Sequence, residues 1–125
     1  MNSLTLAPLT LAGFEAVPSV KDATIELALR GNADMTVSAT LGKYLKELDA
    51  QTRHKGVRAV HVKLGDLYFL SSSCFQAIAA WVLSIAGRAP EDRYTVHFET
   101  HAAQGWQKRS LEAIRRVAPA VTVVS

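Results

Sequence analysis

The chain has 125 residues, the size of one compact domain, and its 49% hydrophobic and 20% charged residues exclude a disordered polymer. Fourteen basic against eleven acidic residues are a small excess, and the densest group is Lys108, Arg109, Arg115 and Arg116. Their spacing fits the solvated face of a helix, so nucleic acid is not an expected partner. The lone Cys74 excludes an intrachain disulfide and multi-cysteine zinc patterns, and a reducing, cytoplasmic setting is expected.

No basic leader opens the sequence, whose first lysine is Lys21. The most apolar run, Cys74 to Ala86, is too short to cross a bilayer, so no integral membrane segment is expected. Residues 1–125 are expected to form a single domain.

In chain order, Leu4, Leu6, Leu9 and Leu11 around Pro8 make residues 1–12 an arm or a short edge strand. Phe14 to Val20 reads as a weak strand interrupted by Pro18, and Lys21-Asp22 as a turn. Thr24 to Leu29 is a strand with Ile25, Leu27 and Leu29 on one face. Arg30 to Asp34 reads as a loop in which Gly31 and Asn32 supply positive φ.

A helix is expected from Thr36 to Arg53, because Val37, Leu41, Leu45 and Leu48 recur at helical steps before the stop signal Gly56. Val57 to Leu64 alternates, with Val60, Val62 and Leu64 on one side and His61 and Lys63 on the other. That pattern implies a sheet covered on one face and less so on its reverse. A strand ending in Phe69-Leu70 then leads through Ser71, Ser72 and Ser73 into a helix over Ser73 to Ala86, closed by Gly87 and Pro90. Tyr94 to Phe98 is a short strand, and Trp106 to Val117 a third helix with Leu111, Ile114 and Val117 inward. Pro119 ends that helix, and Val121 to Val124 closes the chain as a strand. The order β-β-α-β-α-β-α-β implies an α/β fold, a mixed sheet with helices packed on it.

Most catalytic signatures are missing. The sequence holds no glycine-rich phosphate loop and no Gly-x-Ser-x-Gly elbow. His54, His61, His97 and His101 are dispersed and lack a carboxylate motif, so neither a metal nor another cofactor is expected. Cys74 opens a helix, where the dipole lowers a thiol pKa, but small apolar packing is the simpler role.

The serine run stands out. It places hydroxyls where unpaired N–H groups and the positive end of a helix favour oxygen ligands. One serine is accounted for as a helix cap, and three in a row exceed that need. The helix that follows is apolar on two faces. Cys74, Ile78, Trp81, Val82 and Ile85 make a core stripe. Phe75, Ala79, Leu83 and Ala86 make a second, suited to a protein partner or to a second copy of this chain.

The segment Gly65-Asp66-Leu67-Tyr68-Phe69-Leu70-Ser71-Ser72-Ser73-Cys74-Phe75 resembles the signature of STAS domains, the fold of bacterial anti-sigma-factor antagonists. In that family an Asp-Leu-x-x-Phe turn leads into Asp-Ser-Ser/Thr-Gly-Leu at a helix start. Leu29 to Asp34 is similar to the family's Gly-x-Leu-Asp loop, and element order agrees from about Phe14 to Val124. The resemblance places Ser72 at the family's regulatory phosphoserine and Ser73 at its second Ser/Thr. Ser71 stands where the family has aspartate, Cys74 where it has glycine, and Ala33 where it has leucine.

The resemblance implies a non-catalytic regulatory module that docks a serine-kinase-like anti-sigma factor or other regulator. The expected contact residues are Gly31, Asn32, Asp34, Ser71, Ser72, Ser73, Cys74, Phe75, Ala79 and Leu83, with Ser72 as phosphoacceptor. An alternative is a STAS-like fixed subunit of a larger assembly, such as a lipid-transport accessory protein, without a phospho-switch. A remote alternative is a small serine enzyme using Ser72 with His61 or His97.

Overall fold

A single seven-stranded sheet organises the molecule, in the order β1-β2-β3-β4-β6-β7 with β5 also paired to β3. The computed structural model describes residues 6–54 and 56–125. Its strands are β1 (Leu9–Leu11), β2 (Phe14–Lys21), β3 (Thr24–Ala33), β4 (Ala59–Lys63), β5 (Leu67–Leu70), β6 (Thr95–Glu99) and β7 (Thr122–Val124). The helices are α1 (Ser38–His54), α2 (Ser72–Ala86) and α3 (Gly105–Val117), with 3-10 turns at Met35–Val37 and Pro90–Asp92. β1, β2 and β3 form an antiparallel meander, and β3, β4, β6 and β7 run parallel. Parallel neighbours need a covering crossover, which α1, α2 and α3 supply.

The period-2 pattern decides which face of the sheet the helices cover. Ile25, Leu27, Leu29, Val60, Val62, Val96 and Phe98 are all buried, whereas Glu26, His61, Lys63 and His97 between them are only partly covered. The one-sided sheet expected from the sequence is therefore present. Val37, Leu41, Leu45 and Leu48 are buried as a stripe, and so are Cys74, Ile78, Trp81, Val82 and Ile85. Each large side chain so buried contributes roughly 1.5–3 kcal/mol of hydrophobic stabilisation before entropic costs.

Several expectations need correction. The residues from Arg30 onward are not a loop: β3 continues to Ala33, because β2 pairs it on one side and β5 on the other. Gly31 does take a positive φ of 89°, but Asn32 does not, and the pairing register shifts between the two. The turn after β2 falls on Asp22-Ala23, with Asp22 at φ 56°, rather than on Lys21-Asp22. The arm of residues 1–12 contributes β1, while Leu4 lies outside the described residues. Val117 is 64% exposed, so α3 turns only Gln107, Leu111 and Ile114 fully inward. Pro18 sits in β2 beyond the three residues that β1 covers, where a missing N–H leaves no ladder bond unmade.

Candidate functional site

The site lies at the carboxyl ends of β3 and β5, where α2 begins. Ser71 is the N-cap: its extended backbone (φ −68°, ψ 159°) turns its hydroxyl onto the Cys74 N–H at 3.2 Å. Its own N–H donates to Ala33 O at 2.8 Å, tying the start of α2 to the end of β3. The Ser73 hydroxyl lies 3.3 Å from that of Ser71. Ser72 is the first helical residue. It is exposed, and its hydroxyl makes no hydrogen bond among the described residues. The three serines thus divide into a cap, a neighbour of the cap, and a free hydroxyl beside the unpaired N–H groups of the first turn.

Asp34 is the second anchor. Its carboxylate accepts the Thr36 N–H at 2.9 Å and the Thr36 hydroxyl, capping the 3-10 turn that leads into α1. Its carbonyl accepts the Cys74 thiol at 3.2 Å, which binds the loop before α1 to the first turn of α2. Cys74 is fully buried, as its place in the core stripe of α2 predicts, so its side chain is not the contact residue that the family resemblance implies. Burial, the largest effect, pushes the thiol pKa up; the Asp34 carboxylate adds to this and the Ser71 hydroxyl partly offsets it. Desolvation therefore outweighs the lowering expected at a helix start.

Gly31 and Asn32 form the opposite wall. The Gly31 N–H donates to Asp66 O and the Asn32 N–H to Gly13 O, both at 2.8 Å. A Cβ on Gly31 would lie 2.1 Å from Gly13 O, so the backbones meet at a distance only glycine allows. Arg30 and Asp66 approach to 4.0 Å nearby, with both side chains largely in water, a contact of little energetic weight.

Exposed apolar side chains lie on the elements that carry the site, with Leu83 about three turns further along α2 than Ser72. Met35 is 74% exposed, Tyr68 58%, Phe69 50% and Leu83 46%. Phe75 and Ala79 are half-buried between them and the core. A cavity of about 300 Å³ beside Ser72 is lined by Leu70, Phe75, Ser110 and Ala113, between α2 and α3. Met35, Tyr68 and Phe69 were not singled out from the sequence. Their signal was available, because two aromatics in a four-residue strand cannot both face a core on one side.

The histidines lie elsewhere. His61 and His97 are register partners on the reverse face of the sheet, ring centroids 4.7 Å apart, and His97 Nε2 is 2.8 Å from the Ser125 hydroxyl. Neither makes a hydrogen bond with Ser72. The side chain of His54 is outside the described residues. Among the described residues no group of three or more histidine, cysteine or carboxylate side chains is arranged to hold a metal. Nor is any described helix long and apolar enough to cross a membrane.

No family model matches the chain, and neither does any curated protein sequence. Comparison of structures does find similar folds. The crystal structure of an anti-sigma factor antagonist from Mycobacterium paratuberculosis superimposes with a TM-score of 0.63, covering 92% of this chain and 90% of that one. The chain has the STAS fold. Sequence identity is 16%, so the STAS likeness rests on topology and shape.

Proposed function

We propose that this protein is a non-catalytic regulatory module. It docks another protein through Ser72 and the apolar surface around it, and phosphorylation of Ser72 releases that partner. The observation that carries the reading is the division of labour among the serines: Ser71 caps α2, which leaves the Ser72 hydroxyl exposed and unbonded. Met35, Phe69 and Leu83 supply the apolar contact area, with Asp34 and Asn32 as polar neighbours. The partner class is an anti-sigma factor, the kind of protein opposed by the antagonist whose structure this chain resembles.

A phosphate on Ser72 adds about −1.5 to −2 charges. At the amino end of α2 the N–H groups and dipole tolerate it, so the domain stays folded. Inside a desolvated interface the same charge is costly, and loss of about 2 kcal/mol weakens binding roughly thirtyfold. Among the described residues Ser72 makes no hydrogen bond to a base, which fits a binding role.

The test begins with purification of the complex from the native cell and identification of its partner by mass spectrometry. The affinities of wild type, Ser72→Ala and Ser72→Asp for that partner are then measured. Ser72→Ala should bind like wild type, and Ser72→Asp about thirtyfold more weakly with an unchanged denaturation midpoint. Equal affinities for all three would sink the switch.

A second reading, a fixed subunit without a switch, draws on the Cys74 thiol that pins Asp34 to α2. That contact ties the two sides of the surface together. A stable stoichiometric complex lacking any Ser72 phosphopeptide would favour it.

A further inference from the structure

At the opposite end of the sheet, before the amino ends of β4 and β6, lies a cleft of about 660 Å³. Arg53 at the end of α1, Arg58 before β4 and Arg93 before β6 all line it, together with Tyr94, Glu91 and Asp92. None of the three arginines forms an ion pair among the described residues, whereas Arg88 close by is neutralised by Asp49. Arg93 donates through Nη2 to Ala86 O at 3.0 Å, yet its Nε is buried and has no acceptor. A buried donor left open is costly and calls for a partner. A second cavity of about 340 Å³ also borders Arg58, Arg93 and Tyr94, so open space flanks these guanidiniums on two sides.

We propose that this cleft binds the phosphoryl group of a small phosphorylated molecule. Guanidinium groups present paired N–H donors that match phosphate oxygens, and three around one cleft hold an oxyanion from several directions. Glu91 and Asp92 offset two of the three positive charges. The site therefore selects compact, highly charged groups that reach the guanidiniums over extended anions that meet the carboxylates. Its volume exceeds that of a bare phosphate and lies within the usual range of small-ligand pockets, about 300–1,000 Å³. Backbone bonds fix the floor, since the Arg58 N–H donates to Ala23 O at 3.0 Å and Arg58 O accepts from the Thr95 N–H at 3.1 Å. This site does not depend on the role proposed for Ser72.

The test is an amide-resolved NMR titration of the whole protein with inorganic pyrophosphate, then with ribose 5-phosphate, beside co-sedimentation with phosphatidylglycerol vesicles. Saturable shifts at Arg53, Val57, Arg58 and Arg93 are expected. They should weaken at least tenfold in an Arg53→Ser/Arg58→Gln double variant, whose two side chains are exposed and make no ion pair within the fold. Glu91→Gln/Asp92→Asn should tighten binding severalfold. A response to the soluble probes assigns the site to a free metabolite. Vesicle binding alone, lost in the double variant, assigns the same chemistry to a lipid headgroup. No saturable response to any probe, or one unchanged in the double variant, overturns the proposal. Ser72→Asp should leave the titration unaltered, so the failure of either reading is separable from the other.

Discussion

The hydroxyl of Tyr94 donates to the carboxylate of Asp49 at 2.6 Å, joining the residue before β6 to the middle of α1. Trp81 of α2 donates its indole N–H to the same hydroxyl at 2.8 Å, and Arg88 closes the cluster on Asp49. Three elements are thus held together by one phenol. Tyr94→Phe should cost about 1–3 kcal/mol, because it strands the buried Trp81 N–H without an acceptor. Urea denaturation checks this, and a change well below 0.5 kcal/mol would remove the cluster from the list of stabilising features.

Ser71 and Ser72 are adjacent yet should respond oppositely to truncation. Ser71→Ala removes the cap of α2 and should cost about 1 kcal/mol. Ser72→Ala removes a free hydroxyl and should stay within about 0.5 kcal/mol of wild type. Thermal unfolding of the two variants side by side makes the comparison.

Gly31→Ala tests the close approach of β3 to the turn before β2. The added Cβ would meet Gly13 O at 2.1 Å, and φ of 89° disfavours any side chain there. Backbone must move, so a loss of about 2 kcal/mol or more is expected, with displaced amide signals at Gly13, Phe14 and Asn32.

Two tyrosines tie stability to alkaline pH. Burial, aided by the nearby Glu47 charge, pushes Tyr44 up to about 12, and its hydroxyl donates to Ala7 O at 2.8 Å. Tyr94 is raised further, first by burial and then by its bond to Asp49. Both hold their protons more tightly folded than unfolded, where tyrosine titrates near pH 10. Their contribution is therefore complete below about pH 10 and is lost as the pH climbs toward 12 and beyond. Denaturant midpoints should fall between about pH 9 and pH 11.5, and less so in Tyr44→Phe.

Most of the scaffold was legible because its signals are local. The stripe Val37-Leu41-Leu45-Leu48 and the alternation around Val60 and Val62 each need only a few neighbouring residues to be read, and both are buried as expected. The errors came where distant segments decide. Gly31 and Asn32 look like a loop, but β5 and β2 pair with them and extend the strand. Gln107, which no local pattern marks, is buried because its amide donates to Leu64 O and Leu67 O, both at 2.8 Å, and its carbonyl accepts from the His101 N–H. At the site, the serines and the second stripe of α2 were visible in the sequence. The burial of Cys74 was legible too, in the core stripe, whereas the exposure of Met35 and Phe69 depends on how β5 and the loop before α1 meet.

Pro18 has a consequence for assembly. Among the described residues only the first three of β2 pair with β1, so no described strand lies beside β2 from Val17 onward on that side. A proline there offers no hydrogen to an incoming strand, and β7 on the far margin spans just three residues. Both features make these two borders poor templates for an incoming strand.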